Sequence, residues 1–358
     1  MTGRECIQRA IHFEGQGHLP LEIHDVPHLY DAYGTLDPAL ARPATEDYDG
    51  IRVTYHWTFG EETTSSPLPL SLARNGRAPE RGTAQLRRDE WGCLQRVPDD
   101  TATAYEVIEK PLADPAAFAH YRFPDPAVSD PFFERVRRDR SRHYPDKFVC
   151  GYVDPGPLLV AFNLMGYDGL LLRLVDDLPQ VLAVMRGIVD FQKGIIDRWA
   201  AAGADMVSLI DEFAGSEGLM FSPALWREHF LPFYAELLAH IRSHGLSCGC
   251  LFDGDITAIV DDVLSLQPDV VEIMQPNLLG IEQWGELLRG RVCAKASVDM
   301  MTTLATGTPR QCAAEARKLV ETFHTPQGGF IAISLRWHRP EYPAANVQAV
   351  AEAFAEYR

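Results

Sequence analysis

The pattern of apolar and polar positions changes at about residue 147, and the part that follows is the more regular. Short apolar runs alternate there with longer segments whose apolar residues recur every three or four positions, as in buried strands and amphipathic helices. The predicted strands are Phe148 to Tyr152, Asp205 to Ile210, Leu246 to Phe252, Val270 to Met274, Val292 to Lys295 and Phe330 to Ile333. The predicted helices are Leu178 to Ala202, Pro223 to Ser243, Ile256 to Leu266, Ile281 to Arg289, Pro309 to Phe323 and Ala344 to Tyr357.

The N-terminal segment adds one helix and one strand to this series. The helix is predicted from Thr2 to Phe13 and the strand from Leu19 to His24. Side chains alternate along a strand, so Glu22 and His24 share one face of it. If that face looks into a barrel, His24 lies near the barrel mouth.

Residues 27–145 are the irregular part of the chain, rich in proline, glycine, threonine and charge. Strand-like pieces occur at Ile51 to Trp57 and at Leu94 to Val97. We expect this elaboration to cover the mouth of a barrel and to shape its pocket, with Tyr55 and Trp57 as substrate-binding aromatic side chains.

Strands that alternate with helices predict an α/β fold, specifically a TIM-type (β/α)8 barrel that forms a single domain over residues 1–358. The alternative is a doubly wound open sheet, which should carry a glycine-rich phosphate turn after an early strand. Residues 151–157 have the wrong spacing and contain two prolines. The barrel is therefore the better prediction.

Composition and charge exclude several classes of partner. The formal net charge is −17, and no basic stripe is visible, which argues against nucleic acid or an anionic membrane surface as a partner. No apolar run approaches the roughly 18 residues that a spanning helix needs. The seven cysteines form no paired framework, so we expect a reducing, cytoplasmic location.

Acidic side chains follow two of the predicted strands at the point where each strand ends. Asp211 and Glu212 follow the first, and Asp253 and Asp255 follow the second. In barrels of parallel strands, functional side chains gather at the carboxyl ends of the strands. These carboxylates therefore predict a site, although carboxylates are also common on the surface of an acidic protein.

Short motifs spread along nearly the whole chain resemble those of the uroporphyrinogen decarboxylase superfamily, which also contains zinc-dependent corrinoid methyltransferases. Each motif is weak alone, but their order and spacing are specific. They are Arg4 to Glu14 followed by Leu19 and Pro20, Asp89 to Gly92, Gly156 and Pro157 ahead of Met165 to Tyr167, Ala202 to Asp205, Asp211 with Ser222 and Pro223, Gly254 to Ile256, Ser297 to Asp299, Thr306 to Pro309 and Gly328 to Ile331.

The resemblance favours the methyltransferase branch over the true decarboxylase. The decarboxylase opens its first strand with an arginine-rich segment that holds the carboxylates of its substrate, and residues 19–25 here offer an acidic pair and a histidine instead. The methyltransferases bind zinc through a His-x-Cys turn and a later cysteine. Matched to this chain, those positions are Leu251, Asp253 and, at or near the last, Arg336, so the usual zinc set is absent.

Cys248 and Cys250 are the available substitutes for that zinc set. Strand alternation places both on the face opposite Leu251 and Asp253. We therefore expect them to pack against the helices, unless a β-bulge reverses the register.

The predicted site combines candidate catalytic and substrate-binding residues. The catalytic candidates are Asp211, Glu212, Asp253 and Arg336; the substrate-binding candidates are His24, Tyr55, Trp57, Tyr152, Asn163 and His338. Two alternatives stay open. Either a divalent metal is held by oxygen and imidazole ligands such as Asp253, His24 and Glu212, with Asp211 and His338 near, or the carboxyls act without metal as general acid and base beside a fixed arginine.

The resemblance implies a methyltransferase or demethylase that passes a methyl group from a small-molecule donor to a corrinoid on a partner protein. A carboxyl general acid would protonate the leaving oxygen or nitrogen. The alternatives are a decarboxylase (lyase) that uses Arg336 to hold a small carboxylic acid, and a barrel that has lost catalysis. A homodimer is a further expectation by family analogy.

Overall fold

Eight parallel strands close into a barrel in a computed structural model that describes residues 1–15, 17–23, 48–55, 85–97, 106–333 and 342–358. Each strand pairs with its neighbours in chain order, and the first pairs with the last. The strands are β1 Leu21–Ile23, β2 Gly50–Tyr55, β3 Phe148–Val153, β4 Met206–Glu212, β5 Ser247–Asp253, β6 Val270–Ile273, β7 Cys293–Ala296 and β8 Phe330–Ile333. The prediction of a (β/α)8 barrel is confirmed.

Helices surround the barrel. They are α1 Gly3–His12, α2 Asp130–His143, α3 Pro157–Met165, α4 Tyr167–Asp176, α5 Leu178–Ala202, α6 Leu231–Ser243, α7 Val260–Ser265, α8 Ile281–Leu288, α9 Pro309–Phe323 and α10 Ala344–Ala355. Short helices at Pro223–Leu225, Pro276–Leu279 and Thr303–Thr306 add single turns. Among the residues described, no single helix is long and apolar enough to cross a membrane, and the bent pair α3 and α4 meets that test only jointly.

Helix α3 was not predicted, because its sequence lacks the alternation of apolar and polar faces that marks an amphipathic helix. All nine of its residues are buried. A helix that is apolar on every side is typical of a core position, and its periodicity is invisible in the sequence.

Part of the irregular stretch forms a three-stranded antiparallel sheet on the flank of the barrel. Its strands are Gln85–Arg88, Leu94–Val97 and Glu106–Glu109. Trp91 packs edge to face on Phe191 of α5, with ring centroids 4.8 Å apart. The expectation that the elaboration covers the mouth depends on residues 24–47 and 56–84, which lie outside the described ranges.

Asp211, at the end of β4, joins that strand to two helices. Its carboxylate accepts hydrogen bonds from the backbone N–H groups of Leu158 and Leu159 in the first turn of α3, at 2.9 and 2.8 Å. It also accepts from the backbone N–H of Glu212 at 2.9 Å and from the hydroxyl of Tyr234 on α6. A carboxylate at a helix N-terminus is favoured by the unpaired N–H groups and by the helix dipole.

The chain approaches Asp211 so closely that only glycine fits at position 156. A Cβ there would lie 2.5 Å from the Asp211 carboxyl carbon and 2.5 Å from the carbonyl oxygen of Ile210. Gly156 therefore lets α3 begin directly against the end of β4.

This geometry favours a structural role for Asp211 over the expected role as a catalytic acid or base. Its side chain is fully buried, both carboxylate oxygens are occupied, and its contacts with α3 and α6 place it on the helix side of the barrel wall. Burial raises its pKa to about 6, although the hydrogen bonds oppose that shift. We assign Asp211 as a positioning residue that fixes the end of β4.

We expect Asp211→Ala to lower the free energy of unfolding by about 3 kcal/mol or more, because it leaves several buried donors unpaired. Urea denaturation measures the change. The matched control is Glu134→Ala on the exposed face of α2, which should change stability by less than about 0.5 kcal/mol. A loss below about 1 kcal/mol in Asp211→Ala would contradict the assigned role.

Candidate active site

Glu212 and Asp253 lie side by side at the carboxyl end of the barrel. They end the adjacent strands β4 and β5 and are paired in register, as are their neighbours Asp211 and Phe252. Because Asp211 faces the helices, strand alternation turns Glu212, and with it Asp253, toward the barrel interior. Asp154, directly after β3, contributes a third carboxyl whose charge acts on Glu212.

Glu212 carries a carboxyl group whose pKa is raised by its surroundings. Burial raises the pKa of its carboxyl to about 8, and the negative charges of Asp253, Asp154 and Asp211 add to the shift. Its side chain makes no hydrogen bond or ion pair among the residues described. Glu212 is therefore mostly protonated at neutral pH, and no described neighbour accepts its proton.

Asp253 is held in a fixed orientation beside Glu212. Its Oδ1 atom accepts a hydrogen bond from Nε2 of Gln275 at 2.8 Å and one from the backbone N–H of Gly254 at 2.9 Å. Gly254 has a positive φ of 88°, and an added Cβ would lie 2.3 Å from the carbonyl oxygen of Ala214. The turn after β5 thus requires glycine, and it fixes the Asp253 carboxylate.

Arg52 provides a positive charge under the mouth. Its guanidinium lies 3.6 Å from the Asp154 carboxylate and 4.1 Å from the centroid of the Tyr152 ring. The side chain is only 6% exposed. Arg52 therefore offsets part of the negative charge of the three carboxyls.

Lys295 on β7 anchors a polar network in the barrel interior. Its ammonium donates to the Tyr152 hydroxyl at 2.6 Å, lies 3.3 Å from the Glu272 carboxylate and contacts the Glu22 carboxylate. The Tyr152 hydroxyl in turn donates to Glu272. Burial by itself would lower the pKa of Lys295, but the Glu22 and Glu272 carboxylates outweigh it and raise the pKa. The lysine is charged, and it compensates the buried acids.

The predicted substrate-binding residues lie in different parts of the molecule. Tyr152 lies inside the barrel, where its hydroxyl belongs to the Lys295 network. Asn163 lies on α3, outside the strands, and its carbonyl accepts a hydrogen bond from the Cys93 thiol. Tyr55 ends β2, but its side chain is outside the described part of the molecule, as are all atoms of His24, Trp57, Arg336 and His338.

Several residues of this interior had not been singled out as site residues from the sequence. They are Asp154, Arg52, Glu272 and Lys295. A signal for the last three was present, because each is a charged residue between apolar or small ones in a strand. In a barrel, one face of each strand points inward, so an isolated charge in such a run indicates an interior polar site.

Among the described residues, the mouth offers no thiolate that could bind zinc. Leu251 faces inward with Asp253 and offers no ligand atom. Cys250 lines a small cavity with Val263 and Trp284 on the helix side, as predicted, and burial raises the pKa of its thiol. In the part of the chain that the structure describes, no third possible ligand lies close enough to Glu212 and Asp253 to share a metal ion with them. The prediction of a metal ion held with His24 stays untested.

The protonation of Glu212 should make stability depend on pH. Its pKa is about 8 when folded and near 4.5 when unfolded, so the native state keeps a proton that the unfolded state releases, and wild-type stability falls between these values as pH rises. We expect Glu212→Gln to gain stability relative to wild type across that window and to level off above it. Urea denaturation from about pH 5 to about pH 9 tests this. The exposed control Glu217→Gln should follow the wild-type curve, and a constant difference for Glu212→Gln would contradict the shifted pKa.

Comparisons with known proteins agree with this architecture. A search of curated proteins found no match. Among solved structures, a methyltransferase from Methanosarcina mazei superimposes with a TM-score of 0.70 at 15% identity, covering 100% of this chain and 99% of that one. A B12-independent methionine synthase from Shewanella sp. W3-18-1 gives a TM-score of 0.44 at 11% identity, covering 77% and 76%. The family model for uroporphyrinogen decarboxylase matches residues 96–357, and the chain therefore belongs to the uroporphyrinogen decarboxylase family.

Proposed function

We propose that this protein is a methyl-transferring enzyme in which Glu212 protonates the leaving group of a small methyl donor. The observation that carries the proposal is the Glu212 carboxyl itself, which faces the barrel interior with a pKa of about 8 and whose side chain makes no hydrogen bond or ion pair with the other described residues. A general acid is most effective when its pKa lies near the working pH, and few carboxyls meet that condition.

The charge around Glu212 favours a neutral or cationic donor over an anion. Three carboxyls surround the mouth, and the one described arginine beneath it, Arg52, is already beside Asp154. A neutral methylamine or a methyl ether meets this condition, because the nitrogen or oxygen of each must gain a proton as it leaves. A donor carboxylate would face like charges at short range.

The reaction requires the bond between the methyl carbon and the heteroatom to break, with its electron pair remaining on the heteroatom. Glu212 delivers the proton that this atom needs, and its carboxylate is left beside Asp253. The Asp253 carboxylate, fixed by Gln275 and Gly254, orients the donor next to Glu212. A corrinoid on a partner protein would supply the nucleophile that accepts the methyl group.

Two further facts support methyl transfer. The protein from Methanosarcina mazei that shares this fold over the whole chain is a methyltransferase, so the barrel accommodates that chemistry. The sequence resemblance also implies that Leu251 and Asp253 stand where the family's methyltransferases have zinc ligands, and proton donation by a carboxyl needs no metal ion. The alternative of decarboxylation has weaker support, because the described mouth repels an anionic substrate.

We expect Glu212→Gln to lower the rate of methyl transfer by roughly 10²-fold, because the amide keeps the shape of the side chain but has no acidic proton. The assay supplies methylamines or aryl methyl ethers with free cob(I)alamin as the acceptor and follows the cobalamin spectrum. The wild-type rate should also fall as pH rises through about 8, where Glu212 loses its proton.

Glu217→Gln is the matched control, because Glu217 is exposed and precedes the short strand Gly218–Leu219. It should retain the wild-type rate. A wild-type rate in Glu212→Gln would exclude Glu212 as the acid. Release of carbon dioxide from a panel of small acids, without methyl transfer, would favour the decarboxylase instead.

Asp253→Asn should move the alkaline limb of the pH–rate profile to lower pH. The reason is that the Asp253 charge raises the pKa of Glu212, and asparagine removes that charge while keeping the size of the side chain. Steady-state rates measured across pH for wild type and variant give the shift. An unmoved limb would show that Asp253 does not act on Glu212 in solution.

A further inference from the structure

Two histidines and an aspartate converge on the outside of the barrel, between helices α5 and α6. Nε2 of His240 lies 2.7 Å from Oδ1 of Asp197, and Nε2 of His244 lies 2.8 Å from the same oxygen. The two imidazole rings are 5.1 Å apart and nearly perpendicular, at 86°. The three ligand atoms all lie within 4.8 Å of one another.

This cluster is separate from the candidate active site. His244 follows α6 and comes three residues before β5 begins at Ser247, whereas Asp253 ends the same strand. A strand of that length places the two ends about 20 Å apart. The cluster therefore lies near the amino-terminal end of the barrel strands, opposite the mouth.

The arrangement meets the chemical requirements of a site for a borderline divalent metal. Residues four apart on a helix project from the same face, so His240 and His244 present their rings to one point. Imidazole nitrogen with a carboxylate oxygen suits zinc, nickel or copper better than calcium or magnesium. The side chains are 23%, 31% and 51% exposed for His240, His244 and Asp197, so water can complete the coordination.

The surrounding backbone also favours a cation. His240 lies in the last turn of α6, and His244 is the residue that caps its carboxyl end. The carboxyl end of a helix carries partial negative charge from its unpaired carbonyl groups. We infer that His240, His244 and Asp197 bind one zinc-like divalent ion, which ties α5 to α6.

A second cluster of potential ligands, Cys6, His18 and Asp49, does not offer the same chemistry. The guanidinium of Arg358 lies 2.7 Å from the Asp49 carboxylate, where it would repel a cation. Burial and the charge of Asp49 raise the pKa of the Cys6 thiol to about 12, so the thiolate is scarce. The contrast points to the histidine pair as the metal site.

The inference is tested by zinc titration of tag-free, chelator-treated full-length protein in a calorimeter. Wild type should bind one equivalent, and His240→Ala and His244→Gln should each weaken the zinc affinity by about tenfold or more. Zinc should raise the melting temperature of wild type, by mass action on the native state, but not that of the double variant His240→Ala/His244→Gln.

His12→Ala is the matched control, since His12 is an exposed histidine at the end of α1. It should bind zinc as wild type does, and so should His18→Ala. Absence of zinc binding in the wild type would show that the cluster is only a hydrogen-bonded tie between helices. Equal affinity in the wild type and the double variant would also overturn the inference.

Discussion

The outward-facing carboxylate of Asp211 is the constraint on which the geometry of the mouth depends. Four hydrogen bonds fix it between the first turn of α3, the hydroxyl of Tyr234 and the backbone of its own strand. Because consecutive side chains of a strand point to opposite faces, a locked Asp211 turns Glu212 inward. The residue that resembles a catalytic acid in the sequence is thus the one that orients the neighbouring acid.

The barrel interior supplies the electrostatic conditions for Glu212. Lys295 compensates the buried carboxylates of Glu22 and Glu272, so that charge below the mouth is balanced. At the mouth, negative charge is in excess among the described residues, since Glu212 faces the Asp253 and Asp154 carboxyls in a desolvated position. Desolvation and like charge both favour the neutral acid, and the same pair of effects raises the pKa of carboxylic acids in known enzymes.

We propose different roles for the two ends of the barrel. We propose that the chemistry occurs at the carboxyl end, where an acid kept desolvated among other carboxyls lowers stability but gains reactivity. Near the amino end, Asp197 on α5, His240 on α6 and His244 just after α6 connect the two helices, away from the mouth. A metal bound there would stabilise the helical layer and leave the reacting groups unchanged.

The sequence alone determined the barrel and the position of the acidic pairs. Apolar residues recur every second position in strands and about every 3.6 positions in helices, so neighbouring residues alone reveal these elements, and neighbouring strands follow each other along the chain. It also placed Cys250 on the helix face, since alternation along a regular strand is fixed by backbone geometry. It did not reveal α3, whose nine buried residues show no polar face. Only the tertiary structure decided the surroundings on which we base a positioning role for Asp211 and an acid role for Glu212. The hydrogen-bond partners of Asp211 come from α3 and α6, and the pKa of Glu212 is set by desolvation and neighbouring charges. Both depend on residues that are far apart in the chain.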